Sequence, residues 1–107
     1  SDIGAVCAYL EEHSGEPVSL DQLGEVAGLS KYYLLRSFTK QKGISPYRYL
    51  ETIRIAKARK LLERNVPMIE VALQTGFADQ SHFSRFFKRL IGVTPRQYAE
   101  IFGGRQA

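Results

Sequence analysis

The stretch DQSHFSRFFKRLIGVTP, residues 79–95, decides how this chain folds. Read at helical spacing, it puts Phe83, Phe86, Phe87 and Leu90 on one face. The other face carries Gln80, Ser81, Ser84, Arg85, Lys88 and Arg89, with no acidic residue between Gln80 and Ile91. Gly76-Phe77-Ala78 introduces the stretch as a turn, Gly92 stops the helix, and Thr94-Pro95 caps another containing Tyr98, Ile101 and Phe102. A helix anchored by phenylalanines that presents amides, hydroxyls and cations suits an anionic, hydrogen-bonding surface, and the major groove of DNA is one.

Working outward, residues 2–13 repeat Ile3, Val6, Cys7 and Leu10 at amphipathic spacing, and Ser14-Gly15-Glu16-Pro17 closes that helix. His13 reads as a solvated helix-end residue. Ser19 with Gln22 forms a capping box, with Val18 and Leu23 as its hydrophobic staple. The helix it opens turns Leu20, Leu23, Val26 and Ala27 inward and stops at Gly28. Ser30 caps a third helix to about residue 42, burying Leu34 and Phe38 and exposing Lys31, Tyr32, Leu35, Arg36 and Thr39, again without an acid. Ser45-Pro46 starts a long fourth helix to about Arg64, with Leu50, Ile53, Ala56, Leu61 and Leu62 for packing and Asn65 and Pro67 at its close. At 1.5 Å per residue it spans roughly 28 Å, enough to hold two units apart. A short helix from Met68 to Thr75 precedes the opening stretch, and residues 103–107 read as a frayed tail.

The same unit occurs twice. Leu20, Leu23 and Gly28-Leu29 match Met68, Val71 and Gly76-Phe77 at an offset of 48. One extra residue in the second turn makes the offset 49 for Leu34/Phe83, Arg36/Arg85, Phe38/Phe87, Gly43/Gly92, Ser45-Pro46/Thr94-Pro95 and Tyr49/Tyr98. Subtracting 49 from the polar face at residues 80, 81, 84, 85 and 88 returns 31, 32, 35, 36 and 39, the face read separately in the third helix.

The pattern Ile69-Glu70-Val71-Ala72, Gly76-Phe77, Asp79-Gln80-Ser81, Phe83-Ser84-Arg85, Phe87-Lys88, Gly92-Val93-Thr94-Pro95 and Tyr98 resembles the AraC/XylS family of bacterial transcription regulators. The earlier copy and Arg54, Ala58, Leu61 and Leu62 of the long helix fit it too, and the resemblance covers Pro17 to Ala99. It implies an all-α fold of seven helices, two helix-turn-helix subdomains joined by a long linker helix. The expected division is 1–45, 46–65 and 66–102, with the tail after it. It also implies recognition helices at 31–42 and 80–91 in successive major grooves about one turn, roughly 34 Å, apart. His82 departs from the family, which has an aromatic ring there, and packing, phosphate contact or pH dependence are all open to it.

By matching positions, Tyr32, Leu35, Arg36, Gln80, Ser81 and Arg85 become candidates for base contact. A guanidinium can hold guanine O6 and N7 in a bidentate pair, so Arg36 and Arg85 lead, against a phosphate contact or surface ion pair. Gln80 could pair with adenine or be merely solvated; Leu35 touches a thymine methyl or leans into the core. Tyr32 and Tyr33 are neighbours and face differently, so Tyr32 is assigned to DNA and Tyr33 to packing between helices. Lys31, Thr39, Lys40, Ser45, Ser84, Lys88, Arg89, Thr94 and Arg96 are candidates for phosphate, supplying salt-dependent affinity rather than sequence choice. Arg54 is expected to make a structural bond, and Lys57, Arg59 and Lys60 to be solvated.

Composition sets the bounds. A chain of 107 residues with net charge +4 is one domain, or two very small ones sharing an element. Residues 1–29 hold six acids and no Lys or Arg, whereas residues 30–107 hold all 15 basic residues and five acids. Such asymmetry favours nucleic acid over a plain solvated face. No apolar run is long enough to span a bilayer, no membrane partner is implied, and the lone Cys7 excludes an internal disulfide and suggests a reducing compartment. The resemblance implies a cytoplasmic address at the bacterial nucleoid. Starting at Ser1 without Met, the chain reads as an excised fragment, expected to be monomeric, from a protein that could dimerise through another domain. Catalytic, metal-binding and cofactor roles are not expected: Asp79, His82 and Ser84 diverge around one helix and cannot form a triad. A helical protein-interaction module would explain the amphipathic helices but not the paired acid-free faces, and A-form RNA does not admit a helix to its deep groove. The expected partners are a bipartite promoter site in double-stranded DNA and RNA polymerase, with activation favoured over repression.

Overall fold

The computed structural model describes residues 2–104, and all regular structure among them is helical. The helices are α1 (Asp2–Glu12), α2 (Leu20–Ala27), α3 (Lys31–Lys42), α4 (Pro46–Glu63), α5 (Met68–Gln74), α6 (Gln80–Ile91) and α7 (Pro95–Phe102). Every expected helix is present, with ends within one residue of those read from the caps. The chain forms two compact units, Ser1–Ile53 and Arg54–Ala107, each with its own core.

In the first unit Ile3, Val6 and Leu10 of α1 pack with Leu23 and Ala27 of α2, Leu34 and Phe38 of α3, and Leu50 and Ile53 of α4. The Ser19 capping box closes as expected, with Gln22 N donating to Ser19 Oγ and Ser19 N to Gln22 Oε1. Gly24 meets the turn so closely that a Cβ would stand 2.7 Å from the Leu29 carbonyl oxygen. Cys7 is half-buried against this core. His13 is not simply solvated: its ring lies 4.3 Å from that of Tyr9, and its Nδ1 is 3.0 Å from Glu16 Oε2.

In the second unit Ile55, Ala58 and Leu62 of α4 pack with Val71, Ala72, Phe77, Phe83, Phe86, Phe87 and Tyr98. Phe83 and Phe87 are fully buried, and cutting either to Ala should cost about 3–5 kcal/mol. Leu90, expected on this aromatic face, is 42% exposed, and Ile91 packs in its place. Ile91, eight residues after Phe83 and four after Phe87, continues their row along the helix. His82 is half-buried with its ring edge-on to Phe77 at 5.5 Å, a packing contact.

The repeat is visible in the backbone. At an offset of 48, Leu29 N bonds Gly24 O at 3.0 Å and Phe77 N bonds Ala72 O at 3.2 Å. At 49, Gly43 N bonds Thr39 O and Gly92 N bonds Lys88 O, both at 2.8 Å; both glycines are left-handed, with φ of 82° and 99°, where a Cβ would strain. The repeat also reaches further back than its sequence signal. Ile3, Val6 and Leu10 correspond to Ile55, Ala58 and Leu62 at an offset of 52, so the second half of α4 plays in the second unit the part that α1 plays in the first. The side chains follow suit. Tyr49 is hydrogen-bonded to Cys7, with Glu11 nearby. Its counterpart Tyr98 accepts from Arg59 Nε at 3.2 Å and donates to Glu63.

This arrangement corrects three expectations. Ala56 is exposed and Ile55 is buried, because the apolar stripe of α4 changes register where one core hands over to the other. Arg59 is not merely solvated, since it holds Tyr98, which keeps its guanidinium pKa above the usual value. The tail does not fray at Gly103 and Gly104: Gly103 N bonds Ala99 O, Gly104 N bonds Glu63 O at 2.9 Å, and Asn65 Nδ2 donates to Gly104 O at 2.6 Å. The rest of that tail, residues 105–107, lies outside the described residues. Arg54 is buried, its guanidinium 6.0 Å from the centre of the Phe77 ring.

Candidate nucleic-acid interface

Within each unit a short helix, a tight turn and a longer acid-free helix form a helix-turn-helix. Packing fixes which side of the longer helix is free. In α3, Leu34 and Phe38 are buried, leaving Lys31, Tyr32, Arg36, Thr39 and Lys40 exposed and Leu35 half-buried. In α6, Phe83, Phe86 and Phe87 are buried, leaving Gln80, Ser81, Arg85, Lys88 and Arg89 exposed and Ser84 half-buried. Each set of sequence-derived candidates therefore shares one helix face.

The starts of these helices are well made. Ser30 Oγ accepts from Tyr33 N at 3.3 Å, and Asp79 Oδ1 accepts from His82 N at 2.7 Å. Asp79 was readable as a cap, being a carboxylate just before an amphipathic run. It is the first-turn acid that α6 itself lacks.

The two arginines are held differently. The Arg36 guanidinium sits 5.7 Å from the Tyr32 ring centre, whereas Arg85 Nε donates to its own helix at Ser81 O, 3.4 Å away. Tyr33 does not pack between helices. It is 60% exposed and meets Tyr32 edge-on at 5.8 Å, because the 100° per residue of a helix carries it out of the Leu34–Phe38 line. Leu35 borders an apolar hollow of about 230 Å³ in the first unit, shared with Leu10, Leu20, Leu23 and Leu50.

This architecture has a known counterpart. A family model described as a helix-turn-helix domain matches residues 23–101, most of the chain and both copies of the motif. The chain belongs to the AraC/XylS family.

Among relatives of this AraC/XylS domain, the uncharacterized HTH-type transcriptional regulator YbfI of Bacillus subtilis is 60% identical over 81 residues, covering 76% of this chain and 30% of that protein. The HTH-type transcriptional activator RhaS of Escherichia fergusonii is 40% identical over 101 residues, covering 94% of this chain and 35% of that one. The chain thus spans about a third of the length of these curated relatives. Among solved structures, the DNA-binding domain of AdpA in complex with a target DNA superposes with a TM-score of 0.89 at 28% identity, over 95% of this chain and 93% of that one.

The remaining candidates of the AraC/XylS domain sit at helix starts or on exposed stems. Ser45 Oγ accepts from Arg48 N and Thr94 Oγ1 from Gln97 N, both at 3.1 Å, so each hydroxyl is engaged as a cap. With Pro46 and Pro95 lacking an N–H, the Tyr47 and Arg96 amides are the first-turn donors the caps leave over. Arg96 is exposed, and Lys31 Nζ lies 3.8 Å from Asp21 Oδ1, a pair the sequence did not suggest.

Proposed function

We propose that this chain is the DNA-binding domain of a bacterial transcription regulator, with α3 and α6 reading successive major grooves of a bipartite site. The carrying observation is the pair of acid-free faces at an offset of 49, each set on its own packed core with an arginine at the matched place. Arg36 and Arg85 read guanine; Gln80 and Ser81 add hydrogen bonds to bases in the second half-site, Tyr32 and Leu35 apolar contact in the first. Lys31, Thr39, Lys40, Ser84, Lys88, Arg89 and Arg96 meet phosphates and set register, with the capped starts of α4 and α7, at Ser45 and Thr94, turned to the same backbone. The AdpA domain, solved with a target DNA, supports the DNA reading, and RhaS, named as an activator, supports activation. RNA polymerase is the further partner that an activator reading entails. The domain acts as a monomer in the cytoplasm, at the nucleoid, and any dimerisation belongs to the rest of the protein.

Selection from random duplexes by gel shift tests this. The expected outcome is an enriched sequence with two elements about 10 base pairs apart. No enrichment, or enrichment of a single element, overturns the bipartite reading.

A further inference from the structure

The two reading faces are matched in position but not in chemistry. At an offset of 49, Tyr32 and Leu35 of α3 stand where α6 has Ser81 and Ser84. Tyr32 is 62% exposed, carries Arg36 at 5.7 Å over its ring, and is braced edge-on by Tyr33. Leu35 is half-buried with its inner side on the apolar hollow beneath α3, which leaves its outer side on the reading face. The core accounts for the inner side of Leu35 but not for an exposed aromatic ring at Tyr32, and the second unit folds with serines at both places.

We propose that the first half-site contains a guanine beside a 5-methylpyrimidine, and that Tyr32 and Leu35 read the methyl group. This rests on the DNA-binding reading above and assigns the base step to one unit. The major groove displays O6 and N7 of guanine, which suit Arg36, and the thymine C5-methyl, which suits an apolar side chain. An arginine stacked on a ring is already positioned, and an adjacent methyl extends the apolar surface that the ring begins. The second half-site, facing Gln80, Ser81 and Arg85, is read by hydrogen bonds and has no such methyl requirement.

The test replaces thymine by uracil, one position at a time, in the duplex selected above. The base pair is kept and only the methyl is lost, so the protein is untouched. The half-site read by the second unit is first identified as the one whose base preference relaxes in Arg85→Ala. In the other half-site, one uracil next to guanine should weaken binding about fourfold, the value of one buried methyl-sized group. Uracil in the second half-site should change binding less than twofold. Tyr32→Ser, an exposed substitution to the residue that α6 carries, should shrink the difference between uracil and thymine at the sensitive position, and Tyr32→Ser with Leu35→Ser should bring them to equal affinity. Uniform tolerance of uracil, or discrimination undiminished in both variants, overturns the proposal while leaving DNA binding intact. Absence of any selected sequence instead overturns the broader reading.

Discussion

Gly24 and Ala72 occupy the same place in the two units, each accepting the amide that closes its turn, yet only one can carry a methyl group. In the first unit a Cβ at Gly24 would lie 2.7 Å from the Leu29 carbonyl oxygen. Replacing a glycine inside a helix with alanine usually adds about 1 kcal/mol of stability. Here the overlap is with backbone and cannot be relieved by a rotamer change, so Gly24→Ala should destabilise by about 1–3 kcal/mol. Urea unfolding followed by circular dichroism decides the sign, and a stabilised variant would show that the turn yields. Nothing in the sequence marked Gly24, since a glycine in a short helix looks like poor propensity until the neighbouring carbonyl is placed. Caps were legible because they depend on residues three apart: Ser19, Ser30, Ser45 and Thr94 all do what their sequence context implied. Tyr33 was misplaced because neighbouring aromatics do not have to divide between core and surface; here both project.

Helix α4 shows why element ends were easier to read than element faces. Proline and serine fix its start and Asn65, left-handed with φ of 61°, its end. Its inward face cannot be found with one stripe, because Leu50 and Ile53 serve the first core and Ile55, Ala58 and Leu62 the second. Ile55→Ala should therefore cost about 2–5 kcal/mol, and Ala56→Gln should stay within about 0.5 kcal/mol of the parent. The reverse order in thermal unfolding would restore the single-stripe reading. The first half of α4 also carries Tyr49, whose phenol is pushed above its ordinary 10.0 by the hydrogen bond to Cys7, by burial, and by the charges of Cys7 and Glu11. Folding thus favours the protonated phenol. That contribution is complete below pH 10.0 and is lost as pH rises through the higher folded value. Tyr49→Phe should flatten the alkaline loss of stability in denaturant titrations above pH 10.0, and an unchanged slope there would remove Tyr49 as its source.

Charge divides unequally over the two units. The first, Ser1–Ile53, carries five basic and seven acidic residues, net −2; the second, Arg54–Ala107, carries ten basic and four acidic residues, net +6. The second unit therefore supplies most of the attraction to a polyanion, and the first must rely more on contacts that salt does not screen, in keeping with the tyrosine and leucine on α3. Each phosphate neutralised contributes about 0.9 to the slope of log K against log salt. Lys88→Ala should weaken binding to all sequences alike and lower that slope by about one, whereas Arg85→Ala should lose about 1–3 kcal/mol and relax one base position. Lys31→Ala should lower the slope by less than Lys88→Ala does, because Asp21 lies 3.8 Å from the Lys31 ammonium and already offsets part of its charge. Removing that offset with Asp21→Asn should strengthen binding, most visibly at low salt, where an exposed pair is least screened. Equal effects from Arg85→Ala and Lys88→Ala would erase the division between base reading and phosphate contact on α6. Slope changes from Lys31 and Lys88 that match would place the same electrostatic demand on both units, despite their net charges of opposite sign.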